Sequence, residues 1–190
     1  MKLISFTLLL LMLITGTDLS AQKKSSNTSE KYGTTLNLGI GLGYYSYARS
    51  AMPVLHANLE LDVAKNFTLA PFISYYSYQN YNYWGGPNYP YKNYNYRETI
   101  IPIGVKASYY FDQLLHANSN WDFYLAGSLG FAIRSITWED GYYGQKHVAN
   151  GSSPLYIDIH IGTEYHVSNK VGLFLDLSSG VSTLGLGIHF

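Results

Sequence analysis

The nine residues from Ser182 to Phe190 alternate in polarity and end on an aromatic ring. Apolar side chains occupy every second position of this segment: Leu184, Leu186, Ile188 and Phe190. Side chains of a β-strand point alternately to opposite faces, so one row can meet lipid while the other fills an interior. The segment therefore predicts a strand of a transmembrane β-barrel.

The amino-terminal segment predicts export. Lys2 precedes an apolar run from Leu8 to Ile14, and a small-residue site follows at Ser20 and Ala21. We expect a secretory signal peptide over residues 1–21, a periplasmic segment over 22–33 and a barrel over 34–190. The apolar run is shorter than the roughly 18 residues that a spanning helix needs. The absence of cysteine excludes a lipoprotein-type anchor and disulfides.

The net charge argues against nucleic-acid binding, and the composition favours a β-sheet protein. The formal net charge is +0, so the chain offers no overall field for nucleic acid, and we predict no nucleic-acid partner and no cofactor. The chain has 20 tyrosines and 18 glycines and few segments of helical period, which favours short strands joined by turns.

Eight segments alternate as strands do. They cover residues 36–44, 55–63, 67–78, 98–111, 121–137, 155–166, 171–178 and 182–190. The third is the least regular, because both of its faces are apolar and Pro71 is expected to interrupt it. In the fourth, Pro102 lacks a backbone donor and predicts a bulge.

The connections between these segments alternate in length. Short links at 64–66, 112–120 and 168–170 interleave with longer ones at 80–97 and 138–154, as expected for periplasmic turns and outer loops. A soluble lipocalin-like barrel also has eight strands, but it directs its apolar rows inward. Aromatic residues near the strand ends instead suit the two membrane interfaces. The sequence predicts an all-β, closed, eight-stranded antiparallel transmembrane β-barrel.

With these features the chain resembles the small eight-stranded outer-membrane barrels of Gram-negative bacteria. These barrels are of the OmpX and OmpA transmembrane-domain type, within the broader "outer membrane protein beta-barrel domain" grouping. The residues that carry the resemblance are Ile101 to Gly104 and Gly187 to Phe190, besides the strand count. It implies contact with outer-membrane lipid, insertion by the outer-membrane assembly machinery with Phe190 as its signal, and a structural or adhesive role at the cell surface.

An enzymatic alternative is a membrane-embedded lipid A deacylase. Barrels of similar size include this hydrolase, whose His-x-Ser-Asn motif fits His166 to Asn169. His166 would be the general base and Ser168 the nucleophile, and Asp176 is the only downstream carboxylate. The strand count places the motif at a periplasmic turn, whereas that family works from the outer leaflet. We therefore expect no catalysis and no catalytic residues.

The inward rows predict ion pairs in a plugged lumen, because eight strands leave just enough space for side chains and an unpaired buried charge is costly. We expect Arg134 to be held by Glu98 and Asp158, and Lys106 to pair with Glu60. Four inward histidines are expected at different heights, which favours hydrogen bonding over a metal site: His56, His160, His166 and His189.

The loop from Asn80 to Tyr96 alternates asparagine with tyrosine. Flat rings and amides suit glycan or protein contacts, so we expect a surface-recognition loop at the point farthest from the membrane. Its aromatic residues are Tyr81, Tyr83, Trp84, Tyr89, Tyr91, Tyr94 and Tyr96. The alternative is a tyrosine-rich extension of the strands without a ligand.

Overall fold

A computed structural model describes residues 33–43, 52–115, 117, 120–144 and 154–190. The predicted signal peptide and nearly all of the segment 22–33 lie outside these residues. The stretches 44–51, which include the predicted strand end at Tyr44, and 145–153 also lie outside them. Nine elements occur in the described residues: β1 (Thr34–Gly43), β2 (Met52–Ala64), β3 (Phe67–Gly86), β4 (Tyr89–Tyr110), α1 (Asp112–Leu115), β5 (Trp121–Trp138), β6 (Leu155–Ser168), β7 (Val171–Ser178) and β8 (Val181–His189).

The eight strands form one closed antiparallel barrel in sequence order. Each strand pairs with the next, and β8 returns to β1, where Thr35 lies opposite His189 and Gly43 opposite Val181. This confirms the predicted fold class. Closure pairs the last strand with the first in the barrel wall, as required where lipid offers no hydrogen bonds to the backbone.

Alternation decides which side chains face the lumen. On β6, Ile157 and Ile159 are 65% and 71% exposed, whereas the intervening Asp158 is 1% exposed. Large apolar side chains are exposed in the same way on every strand, and the buried set is rich in polar and charged groups. A continuous apolar surface of this extent is unstable in water, so the outer face of this transmembrane barrel is a lipid-facing surface.

Neither proline disturbs the sheet as the sequence predicted. Pro71 lies within the continuous β3 and pairs with Val105. Pro102 pairs with Ala132 in a ladder between β4 and β5 that runs without a register shift, so the predicted bulge is wrong. A strand residue donates its N–H to only one neighbouring strand, and a proline can therefore lose that bond while the pairing continues.

Two regions of the chain differ from the prediction. The strands β3 and β4 have 20 and 22 residues and continue through most of the predicted loop 80–97, which is an extended hairpin that turns at 87–88. The predicted turn 112–120 contains the four-residue α1, too short to show a helical period in sequence. The described residues include no helix that is both long enough and apolar enough to cross a membrane.

Glycines allow close contact across the closing pair of strands. Gly39 and Gly185 lie opposite each other on β1 and β8. A Cβ atom at Gly185 would lie 2.0 Å from the carbonyl oxygen of Leu38, which is backbone and cannot rotate away. A Cβ at the outward Gly127 would meet nothing within 4 Å.

We predict that Gly185→Ala destabilises the closed barrel by about 1–3 kcal/mol, the usual cost of overpacking. Gly127→Ala is the matched control and should be neutral. Urea titration of protein folded in detergent micelles, followed by heat-modifiable gel migration, measures both. Equal midpoints for the two variants would contradict close packing at the seam.

Candidate functional site

The outward surface of β3, β4 and β5 changes from apolar to polar at a defined level. Ile73, Ile103 and Phe131 form one apolar row across the three strands. Two polar rows lie farther out: Ser77, Thr99 and Ser135, and then Gln79, Arg97 and Thr137. The lipid-facing surface therefore ends before the hairpin does, and the part beyond these rows stands in water.

Three tyrosines lie beyond the polar rows on the outward side of the hairpin. Tyr81, Tyr83 and Tyr91 are 62%, 65% and 67% exposed. The rings of Tyr83 and Tyr91 are 6.1 Å apart. Asn95 and Asn93 lie opposite Tyr81 and Tyr83 on the ladder and are exposed. These five residues are called the tyrosine face below.

The other side of the hairpin is packed and not free. Trp138, at the end of β5, stacks on Tyr142 with ring centroids 4.0 Å apart and planes 9° apart. Tyr142 also contacts Trp84 at 5.3 Å and Tyr94 at 5.4 Å. Tyr96 packs on Trp138 at 4.7 Å. These five rings, called the supporting cluster, join the hairpin to the segment after β5.

The supporting cluster corrects the predicted recognition loop. Tyr94 and Tyr96 are 2% and 8% exposed, so their rings are interior packing and cannot contact a partner. Trp84 is half-buried in the same cluster. Period two explains the split, because Tyr94 and Tyr96 lie on the face opposite to Tyr91. Tyr89 is 39% exposed and stacks on Tyr143 at 4.8 Å.

Glu139 fastens the segment after β5 to β4. One carboxylate oxygen lies 3.0 Å from the Lys92 Nζ atom, and the other accepts hydrogen bonds from the Asn95 backbone and side-chain amides at 2.9 and 3.1 Å. The backbone N–H of Asn95, followed by Lys92, lowers the pKa of Glu139 from its ordinary value. The hydrogen bond with the Glu139 carboxylate in turn raises the pKa of Lys92 from its ordinary value.

In the lumen, the structure places Arg134 against Glu98, and the Tyr78 hydroxyl donates to the same carboxylate. The predicted second partner of Arg134, Asp158, lies elsewhere. Arg134 is opposite Ile100, whereas Asp158 is opposite Ser128, six residues and about 20 Å farther along β5. The register of β6 against β5 cannot be counted from the sequence, because a long connection separates the two strands.

Asp158 organises the turn between β7 and β8. Its carboxylate accepts hydrogen bonds from the Ser178 and Ser179 hydroxyls at 2.7 and 2.6 Å, and from the backbone amides of Gly180 and Val181 at 2.8 and 3.1 Å. Four donors compensate for the burial of this carboxylate. Among the described residues, the Asp158 carboxylate thus stabilises the tight turn between β7 and β8.

Lys106 also differs from its predicted partner. It lies opposite Ala70, as expected, but its Nζ atom is 3.1 Å from Asp176 on β7, across the lumen. Glu60 instead accepts hydrogen bonds from Tyr110, Thr68 and Asn37. A long lysine side chain in a narrow barrel can reach a distant strand as easily as a neighbouring one. Counting residues along paired strands predicts neighbours on adjacent strands and cannot predict such a contact across the lumen.

Ser128, His160 and Asp176 form a hydrogen-bonded chain that the sequence analysis missed. The Ser128 hydroxyl is 2.8 Å from His160 Nε2, and His160 Nδ1 is 2.7 Å from Asp176. This is the connectivity of a hydrolase triad. All three are buried, however, and the adjoining cavity measures about 10 Å³, which holds at most one water molecule. The alternation of polarity predicts that all three side chains face the lumen. Their contact depends on the register of β6 against β5 and β7, which the sequence does not give.

The sequence-level hydrolase motif is not assembled. His166 Nε2 contacts Asp122 at 2.7 Å, and the Ser168 hydroxyl accepts a hydrogen bond from the Lys170 amide in the turn that follows β6. Asp176, the expected acid, contacts His160. Phe190, the predicted assembly signal, is 80% exposed, and its amide donates to the Thr34 carbonyl.

No protein-family model matches the chain, and no curated protein matches it. Solved structures similar to it are small outer-membrane barrels. Neisserial surface protein A is 14% identical with a TM-score of 0.51, covering 83% of this chain and 96% of that chain. Ail, the attachment invasion locus protein of Yersinia pestis, solved with the heparin analogue sucrose octasulfate, is 6% identical with a TM-score of 0.47, covering 83% and 96%.

A designed transmembrane β-barrel is 11% identical with a TM-score of 0.45, covering 85% of this chain and 98% of that chain. At 14% identity, the likeness to the neisserial protein shows a shared fold. The narrower resemblance to the OmpX and OmpA type stays a prediction.

We predict that Arg134→Met lowers the free energy of unfolding by about 3 kcal/mol, because it leaves the fully buried Glu98 carboxylate without its cation. Adding Glu98→Gln should recover part of the loss, and adding Asp158→Asn should be additive, since Asp158 lies at another level. Denaturant titration in micelles of six proteins, the wild type, the three single variants and the two double variants, measures both couplings. A coupling to Asp158 as large as that to Glu98 would contradict this arrangement.

We also predict that the hairpin loosens in acid. A lowered pKa in the folded protein means that Glu139 stabilises the fold above the ordinary value of 4.5, and that this contribution is lost as pH falls through the lower, folded pKa. Tryptophan fluorescence between pH 7 and pH 3 should report the change. Glu139→Ala should remove the transition, whereas Asp140→Ala, at an exposed neighbour, should keep it.

Proposed function

We propose that this chain is an outer-membrane barrel with a surface-interaction role and that the tyrosine face is its contact surface. In this proposal residues 1–21 direct export, 22–33 remain in the periplasm, and the assembly machinery reads Phe190. The closed barrel, its lipid-facing belt and the exposed Phe190 ring support that route. The outer hairpin lies on the cell surface.

One observation carries the recognition role. Tyrosines of membrane barrels normally lie at the lipid interface, where their rings are half in the bilayer. Tyr81 is six residues beyond Tyr75, about 20 Å along the strand, and two polar rows lie between the apolar belt and the tyrosine face. Lipid anchoring therefore does not account for these rings.

The support behind the tyrosine face suits binding. A flexible loop loses conformational entropy when it is fixed by a partner, and a preorganised surface loses less. Here the supporting cluster packs behind the hairpin and Glu139 binds β4 at Asn95, so the exposed rings are presented on a paired two-stranded sheet. Exposed tyrosines on a rigid frame are typical hot-spot residues, because they bury large area at low entropic cost.

The chemistry of the face favours a glycan or protein ligand. Tyrosine rings stack on the apolar faces of sugars and on side chains, and the side-chain amide of Asn93 can both donate and accept. The side-chain amide nitrogen of Asn95 already donates to Glu139. A net charge of +0 gives no general attraction to polyanions. We propose no catalytic role, since the buried Ser128 adjoins a cavity too small for a lipid substrate.

The test is a triple variant, Tyr81→Ala, Tyr83→Ala and Tyr91→Ala, compared with wild type on glycan and extracellular-protein arrays and in cell adhesion. Binding should fall at least tenfold, since hot-spot rings contribute about 2 kcal/mol or more each. Tyr143→Ala is the matched control, because its ring is 67% exposed, as that of Tyr91 is, but stacks on Tyr89.

Surface level and heat-modifiable migration should be unchanged in both variants, because the altered side chains are outside the lipid-facing belt. If no ligand is found, or if the triple variant binds as wild type does, the hairpin is a strand extension and the recognition role is wrong.

A further inference from the structure

Three metal-ligating side chains converge at the end of the lumen opposite to the outer hairpin. Glu164 and His166 lie on β6 and His189 lies on β8. One ligand atom from each lies within 4.8 Å of the other two, and the two imidazole rings are 4.9 Å apart. The sequence predicted these histidines at different heights, and for His166 and His189 that prediction is wrong.

Each histidine has an orienting group on one ring nitrogen. Thr35 Oγ1 lies 2.9 Å from His189 Nδ1, which leaves Nε2 directed at Glu164 Oε1, 2.9 Å away. Asp122 Oδ2 lies 2.7 Å from His166 Nε2. Metal-binding histidines characteristically make such a hydrogen bond with the other nitrogen, because it fixes the tautomer and the direction of the ring.

Glycines keep space for the carboxylate. Gly172 and Gly187 lie opposite each other on β7 and β8. A Cβ atom at Gly172 would lie 1.9 Å from Glu164 Oε1, and one at Gly187 would lie 2.4 Å from it. Glu164 can therefore turn across β7 to meet His189 on β8.

The cluster is also accessible from water. The side chains of His166 and His189 are 25% and 14% exposed, whereas Glu164 is 7% exposed. Compared with the buried Ser128 chain in mid-lumen, the two imidazoles of this cluster are partly exposed among the described residues. A partly open rim with a buried carboxylate suits capture of a small cation.

We propose that Glu164, His166 and His189 bind one divalent transition-metal ion of the zinc class. Two imidazoles and a carboxylate are a ligand set that Zn²⁺ accepts, with water completing the coordination. On binding, the hydrogen bond between His189 and Glu164 is replaced by two bonds to the metal, and any proton held between them is released to solvent. The bound ion joins β6 to β8, next to the pairing of β8 with β1.

The experiment uses untagged mature protein folded in detergent micelles. His116 and His147, which lie outside the described residues, are replaced by Asn in every protein, so that besides the cluster only the lumen residues His56 and His160 carry imidazoles. Zn²⁺ is titrated by calorimetry, and Co²⁺ by its visible d–d absorption, which reports imidazole and carboxylate coordination. One equivalent of each ion should bind, and EDTA should reverse it.

His166→Gln and His189→Gln should each weaken Zn²⁺ binding at least 100-fold, and Asp122→Asn should weaken it about 10–100-fold through ring orientation. His56→Gln is the matched control, since His56 is a lumen histidine that contacts Ser74 at 2.8 Å and lies apart from the cluster. It should bind as the parent does. Heat-modifiable migration verifies that each variant is folded.

The proposal is overturned if the folded parent binds no Zn²⁺, if folded His166→Gln and His189→Gln bind as tightly as the parent, or if His56→Gln loses binding equally. None of these readouts depends on the surface-recognition role, so the two proposals fail separately.

Discussion

The structure depends on one constraint: every backbone N–H and C=O group in the lipid layer needs a partner within the protein. An eight-stranded sheet satisfies it only by pairing its last strand with its first, as β8 does with β1. Close approach at that seam is what Gly39 and Gly185 permit. Once the sheet is closed, period two assigns each residue to lipid or lumen, and the sequence has to alternate accordingly.

Closure also creates a lumen in which polar groups must find partners among themselves. Eight strands enclose only enough space for side chains, so each buried charge has few possible neighbours. Lys106 and Asp176 meet across the lumen, Arg134 meets Glu98 near one end, and Asp158 is satisfied by a turn. The Ser128, His160 and Asp176 chain belongs to this packing, which explains a triad-like geometry without room for a substrate.

Local alternation was sufficient to predict the eight strands and the facing of nearly all their residues, because a lipid belt imposes a strong pattern. It was insufficient for contacts across the barrel. Ladder counting correctly placed Lys106 opposite Ala70, yet the lysine reaches Asp176 instead of Glu60. Likewise, the undetermined register of β6 led to Asp158 as a partner of Arg134, and the convergence of His166 with His189 was not visible.

In the outer hairpin, the alternation of apolar and polar residues no longer predicts which side chains are buried. Between Asn80 and Tyr96, tyrosine and asparagine occur on both faces, so polarity does not distinguish a packed ring from a free one. Only the end of β5 and the segment that follows it decide this, by placing Trp138 and Tyr142 on one face and leaving the other to solvent. The same contacts that bury Tyr94 thus make the opposite face rigid. The proposed surface-recognition role of the tyrosine face consequently depends on the rings of the supporting cluster, which lie on the opposite face.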